Sequence, residues 1–224
     1  MIGIKKPLTE NKSNSDWESL QLRKQLSPLM PNTSMPDHDW WEALWSEPGE
    51  TLQALGLTKG MSVLDLGCGY GHFTIPAARL VNPAPAVGID IDSPILAEAR
   101  KAGEKVVNCL WLNQDLLNLS KLMVSKFDFI MMHCIFHGLP DPVGFLSHVV
   151  EILNPGGYFS VINWLPISRE ETIWLGKPRG PKTEVRISLK QLISIVETAT
   201  VSLSPVQQLK LPPYHYGVTF QLLP

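Results

Sequence analysis

The stretch Val63-Leu64-Asp65-Leu66-Gly67-Cys68-Gly69-Tyr70-Gly71-His72-Phe73 runs from an apolar segment through three alternate glycines into a segment of helical periodicity. In physical terms it is a buried strand, a tight turn and a helix start. Glycine lets the backbone turn sharply and lets a ligand approach the main chain with no Cβ in the way. The helix that follows presents unpaired N–H groups to whatever sits at the turn. Asp65 lies two residues before the first glycine, at the strand's end, where a carboxylate can hold an ammonium or its bound water. The spacing is Gly-x-Gly-x-Gly, and His72 stands where the dinucleotide-binding fingerprint places its third glycine. An acid so near the turn also repels a pyrophosphate.

Outward from the turn, strands and helices alternate. Residues 61–66 read as a strand, 73–81 as a helix, 86–91 as a strand, 94–102 as a helix and 106–112 as a third strand. Asp90 ends the second strand, at the remove from the glycines where an acid accepts both hydroxyls of a ribose. Asp115, just past the third strand, is placed for an exocyclic adenine amine. The ligand expected from these three acids is a nucleoside carrying a cation. Residues 127–132 are apolar without alternation, as in a strand covered on both faces. A helix over 145–153 meets a stop signal in Asn154-Pro155-Gly156-Gly157, and 158–164 is a fifth strand. A helix over 189–198 precedes two late strands, 201–209 and 215–222, with no helix between them, so at least one runs antiparallel. The expected fold class is α/β, with a doubly wound, mostly parallel sheet.

The 224 residues suit one domain of ordinary size, and 44% hydrophobic with 18% charged residues can bury a full core. No window approaches a membrane span. The N-terminus has no apolar run after Lys5 and Lys6, so no signal peptide is expected and the location expected is cytoplasmic. A net charge of −2 gives no general attraction to nucleic acid. Cys68, Cys109 and Cys134 are widely spaced and odd in number, fitting neither a disulfide framework nor a metal site. Three parts are expected: a polar, proline-punctuated arm over 1–36, a helical segment over 37–57 with Trp41, Leu44 and Trp45 at helical spacing, and a main domain over 58–224.

With these pieces in order, the sequence resembles the class I S-adenosylmethionine-dependent methyltransferases, in the bacterial small-molecule branch that includes the quinone methyltransferases. The resemblance rests on Val63 to Gly71, on Gly88-Ile89-Asp90-Ile91-Asp92-Ser93-Pro94, on Phe127-Asp128-Phe129-Ile130, on His137-Gly138-Leu139-Pro140-Asp141-Pro142 and on Leu153-Asn154-Pro155-Gly156-Gly157-Tyr158. It covers residues 59–164 well and the rest loosely. It implies a seven-stranded Rossmann-like sheet with an antiparallel last strand, and S-adenosyl-L-methionine as cofactor. By that likeness Asp65, Gly67 and Gly69 flank the methionine moiety, Asp90 holds the ribose, Asp115 meets the adenine and His133 lies beside the cofactor. Cys68, Gly71, Ile91 and Leu116 belong to the same site. The resemblance also implies that the helices over 37–57 lid the active site.

Methyl transfer asks little chemistry of a protein beyond alignment, and a base only where the nucleophile must lose a proton. His137, after the fourth strand, is the candidate base; packing in the strand-to-helix loop is the alternative. Trp164 ends the fifth strand as a candidate aromatic wall for the substrate, and Tyr214 and His215 open the last strand as candidate substrate residues pointing into the cleft. His72, His148 and His38 read as surface or structural histidines. Lys177, Arg179, Lys182, Arg186 and Lys190 stand against Glu184 alone. They read either as a solvated face or as a site for an anionic substrate, with Arg169, Arg179 and Arg186 as carboxylate or phosphate forks. Pro212-Pro213-Tyr214 matches part of the box of amino-group methyltransferases, but that box follows the fourth strand, where this chain has His133-Cys134-Ile135-Phe136. Base or amide N-methylation is therefore disfavoured. The expected function is methyl transfer to a small molecule by a monomer or homodimer. An RNA or protein methyltransferase and a binding module without turnover are the alternatives.

Overall fold

The computed structural model describes residues 35–118, 125–200 and 202–223. The arm expected over 1–36 therefore lies outside the described residues, apart from Met35 and Pro36. Among the described residues a seven-stranded sheet forms the middle layer. Its strands are β1 (Val63–Leu66), β2 (Ala86–Asp90), β3 (Cys109–Asn113), β4 (Phe127–His133), β5 (Leu153–Trp164), β8 (Leu203–Leu211) and β9 (His215–Leu222). The order is β3-β2-β1-β4-β5-β9-β8. The first five pair parallel, and β9 runs antiparallel to both its neighbours. The chain leaves β1 for one side of the sheet and β4 for the other, so the two directions of winding part at the carboxyl ends of β1 and β4. Ligands bind there in open α/β sheets.

Helices α1 (His38–Leu44), α2 (Pro48–Ala54), α3 (Thr74–Val81), α4 (Ser93–Ala102), α5 (Pro142–Glu151) and α6 (Leu189–Ala199) flank the sheet. The chain between β5 and α6 carries a small hairpin, β6 (Ile173–Trp174) with β7 (Lys177–Pro178). One core cluster gathers Leu64, Ile130, Met132, Phe159 and Val218 with the apolar faces of α5 and α6. The other holds Val63, Phe129, Met131 and Ile162 with Leu52, Leu55 and Leu57 from the region of α2 and Trp40, Trp41, Leu44 and Trp45 from that of α1. Residues 37–57 thus share a core with the sheet, and the Thr219 hydroxyl on β9 donates to the Leu55 carbonyl at 2.8 Å.

Several sequence boundaries shift, β3 opening at Cys109 and β8 spanning Leu203–Leu211 among them, and two of the shifts have a clear physical reason. Asn154 to Gly157 do not end the helix before a separate strand; they sit inside β5 as a register break, with Phe127 opposite Leu153 and Phe129 opposite Tyr158. Asn154 Nδ2 donates to Asp128 Oδ1 at 2.7 Å, tying the irregular segment to β4. Helix α5 starts earlier than its apolar periodicity indicates, because Pro142 occupies its first turn and the Asp141 carboxylate accepts the Gly144 N–H at 3.0 Å.

Candidate active site

A cleft of about 560 Å³ opens at the carboxyl ends of the strands, within the range typical of small-molecule sites. Its floor is the glycine turn. Gly67 and Gly69 have φ of +73° and +52°, the left-handed region that favours glycine. Any Cβ there would run into Ile135 at Gly67 and into Met35 at Gly69. The turn is held by the Gly67 and Cys68 N–H groups donating to the Ile89 carbonyl (2.8 and 3.0 Å).

Asp65, Asp90 and Asp115 all line this cleft, with Gly67, Cys68, Ile91, Leu116, His133, His137, Trp164 and Arg169. Asp65 is 3% exposed, its partner being the Thr74 hydroxyl, which donates at 2.5 Å. Burial pushes its carboxyl up to about 7. A buried acid with one hydroxyl partner suits an ammonium. Asp90 accepts the Gly69 N–H on Oδ2 and the Asp92 N–H on Oδ1, both at 2.9 Å. These bonds fix the carboxylate plane across the turn and leave lone pairs for vicinal hydroxyls; burial raises its pKa. Asp115 accepts the Leu117 N–H at 2.9 Å. The acids, the glycine floor and the apolar Ile91 and Leu116 therefore fit a nucleoside with a cationic tail. Among the described residues no His, Cys, Asp and Glu cluster could hold a metal ion.

The other end of the cleft is aromatic and basic. Trp164 lies between Gly180 on one side and a backing layer on the other. At Gly180 (φ +82°) a Cβ would stand 2.7 Å from the indole ring. His215 pairs with Trp164 across β5 and β9, with ring centroids 4.1 Å apart, and Tyr214 stacks on the same indole at 6.4 Å. Neither Tyr214 nor His215 lines the cleft. The Tyr214 hydroxyl donates to the Ile173 carbonyl (2.6 Å), and His215 is buried with both ring nitrogens unpartnered among the described residues, its pKa driven down to about 3 by burial and by Arg186. Gly69 and Gly71 likewise shape the turn without lining the cleft.

His133 and His137 reach the cleft from β4 and from the turn that follows it. His133 Nε2 lies 3.3 Å from the Ser160 hydroxyl, and burial lowers its pKa to about 3, so the ring is neutral. Cys134, at the end of β4, has φ +61°, an uncommon conformation for a non-glycine residue. From sequence, His72 is expected to be a surface or structural histidine. It is structural, donating Nε2–H to the Trp45 carbonyl at 2.9 Å, and it also forms cleft wall. Arg179, a candidate fork in the sequence, and Trp41 of the expected lid helices are also in the wall, together with Trp40 and Met35; no motif marks Met35, which reaches the cleft from a segment remote in sequence.

A family model described as a methyltransferase domain matches residues 57–179. Trans-aconitate 2-methyltransferase of Escherichia coli is 33% identical over 119 residues, 52% of this chain and 45% of that protein. Demethylmenaquinone methyltransferase of Lactiplantibacillus plantarum is 28% identical over 110 residues, 48% and 46% of the two chains. An uncharacterized methyltransferase of Mycobacterium tuberculosis is 32% identical over 115 residues, 50% and 55% of the two. The matches thus span about half the length of these relatives. Among solved structures, a SAM-dependent methyltransferase from Aquifex aeolicus superposes with a TM-score of 0.69 at 21% identity, over 92% of this chain and 98% of that one. The N-methyltransferase NodS of Bradyrhizobium japonicum, solved with S-adenosyl-l-homocysteine, gives 0.65 at 18% identity, over 91% and 97%. The structural likenesses carry the fold alone. The family match runs through the glycine turn, the three acids and the basic wall across more than half the chain, and on that ground the chain belongs to the methyltransferase domain family.

Proposed function

We propose that the chain binds S-adenosyl-L-methionine at the acidic end of the cleft and transfers its methyl group to a small molecule held at the aromatic and basic end. The observation that carries the reading is the set of three carboxylates around one glycine turn, with Asp65 buried and, among the described residues, in no ion pair. When bound, the cofactor supplies an electrophilic methyl whose bond to sulfur breaks with the electron pair staying on sulfur. Asp65 takes the ammonium, Asp90 the ribose hydroxyls and Asp115 the adenine amine, fixing the methyl against the acceptor so that alignment supplies much of the rate. Trp40, Trp41 and Trp164 exclude water from the line of transfer. His137 is the base where the acceptor's nucleophilic atom carries a proton; neutral His133 packs beside the cofactor. The acceptor is a small molecule because the cleft is of matching size and is walled on three sides by α1, the turn after β4 and the segment after β5.

Calorimetric titration with S-adenosylmethionine and S-adenosylhomocysteine, after removal of any copurified ligand, tests the cofactor half. Micromolar or tighter binding is expected, weakened at least tenfold in Asp90→Ala. Unchanged affinity in that variant, with a folded protein, overturns the placement of the site.

A further inference from the structure

The segment from Leu165 to Ile187 forms a strap across the mouth of the cleft, and its charge is arranged in a way the cofactor does not use. Arg169 and Arg179 both line the cleft. Arg169 donates Nε–H to the Gly180 carbonyl (3.0 Å) and Nη2–H to the Pro178 carbonyl (3.2 Å), leaving its Nη1 group uncommitted. Arg179 donates Nε–H to the Trp174 carbonyl (3.2 Å), which leaves both its Nη groups, and its guanidinium carbon sits 4.8 Å over the Trp40 ring. Among the described residues neither arginine forms an ion pair with an acid. Half-buried guanidinium groups without a close ion pair are costly, and the exposed Glu170 acts on Arg169 only from beyond ion-pair distance. A third arginine explains how they are held. Arg186 is buried and donates to the carbonyls of Ile167, Arg179 and Pro181 and to the Thr172 hydroxyl, all at 3.0 to 3.1 Å. Its own N–H groups are spent on holding the strap closed. Five aspartates line the cleft, three of them the acids about the glycine turn, and the two open guanidinium forks stand at the other end.

We propose that the methyl acceptor is a carboxylate on a flat apolar body, gripped by Arg169 and Arg179 against Trp40 and Trp164; this rests on the cofactor lying at the acidic end. The forks are planar and match a carboxylate in two-point contact. A phosphate wants donors from several directions, and in the wall between the forks Pro178 and Pro181 carry no N–H, which leaves Gly180 as the single residue there with a backbone N–H and no side chain. The indoles offer stacking area and no charge, which fits the apolar body.

The test is titration of the full chain, saturated with S-adenosylhomocysteine, with benzoate, benzamide and phenyl phosphate, followed by tryptophan fluorescence and calorimetry. Benzoate should bind at least tenfold more tightly than benzamide and more tightly than phenyl phosphate. Arg179→Met should weaken benzoate at least tenfold, Arg179→Lys should recover only part of that, and both should take up S-adenosylhomocysteine as the parent does. Lys177→Met removes a charge from the same strap away from the cleft and should leave benzoate affinity unchanged. Equal binding of acid and amide, tighter binding of the phosphate, no benzoate binding, or an equal loss in Lys177→Met and Arg179→Met each overturns the proposal. Failure of the parent protein to bind S-adenosylhomocysteine is a different result, and it removes the cofactor reading instead.

Discussion

Asp65 sets the pH response of the site. Its carboxyl titrates at about 7 in the folded chain because it is buried, against about 3.8 when exposed. Between those values the folded state holds a proton that the unfolded state has lost, so the group's contribution to stability is retained below about 4 and falls as pH rises toward 7. An ammonium ligand needs the ionised form. Affinity for S-adenosylhomocysteine should therefore rise between pH 5.5 and pH 8, read by calorimetry at both values. Asp65→Asn should flatten that dependence and weaken binding more than tenfold, while raising the melting temperature of the ligand-free protein at pH 8. An asparagine oxygen still accepts from the Thr74 hydroxyl, and no buried charge remains. A site residue whose removal stabilises the fold is what a strained binding centre produces. A fall in melting temperature at pH 8 would show that Asp65 is already compensated without ligand.

At the scale of the element, the β6–β7 hairpin offers a separate test. Its two-residue turn has Leu175 at φ +48° and Gly176 at φ +74°, the pattern of a type I′ turn, which favours asparagine or glycine at both places. Leu175 is 60% exposed, so little packing is lost on replacement. Leu175→Asn should stabilise the protein by about 1 kcal/mol, roughly 2–4 °C in melting temperature, measured by thermal unfolding. The capping box of α6 predicts the opposite sign. Ser188 Oγ accepts the Gln191 N–H at 3.2 Å and Gln191 Oε1 accepts the Ser188 N–H at 2.8 Å, so Ser188→Ala should cost about 1 kcal/mol and leave cofactor affinity unchanged. The hairpin is not announced in the sequence, leucine being unfavoured at that turn position, but the capping box of Ser188 and Gln191 is a short local pattern legible there. So are the glycine turn and its acids, because the ligand cradle is built where strand meets helix and each acid follows a strand end. Asn154-Pro155-Gly156-Gly157 misleads for the same local reason: four turn formers read as a break, and only pairing with β4 shows them to be an irregularity within a strand.

For the molecule as a whole, helix α1 and the segment 165–187 meet over the cleft, and this closure is the least legible feature of the sequence. Lys177, Arg179 and Arg186 look alike in a charge count, yet Lys177 is exposed, Arg179 faces the cleft and Arg186 is buried, bonded to carbonyls from 5 to 19 residues away. Tyr214 and His215 read as cleft residues because they open a strand at the right end of the sheet. Antiparallel pairing instead sets them behind Trp164, which they brace. Trp40 of α1 lies 6.5 Å from Trp164 and under the Arg179 guanidinium, so the strap clasps the N-terminal helix. Arg186 is the tie on which that clasp depends. Arg186→Met keeps apolar bulk beneath Trp164 but strands the Ile167 and Pro181 carbonyls without donors and leaves the Arg179 carbonyl only the Thr172 hydroxyl, so the strap should open to recover them from water. Hydrogen exchange should show protection lost across 165–187 and across α1, with the protection of β1, β2 and β4 retained and affinity for S-adenosylhomocysteine within about threefold of the parent. Loss confined to the strap would mean that α1 is held by its tryptophans alone, and unchanged protection in both would show that Arg186 does not hold the closure.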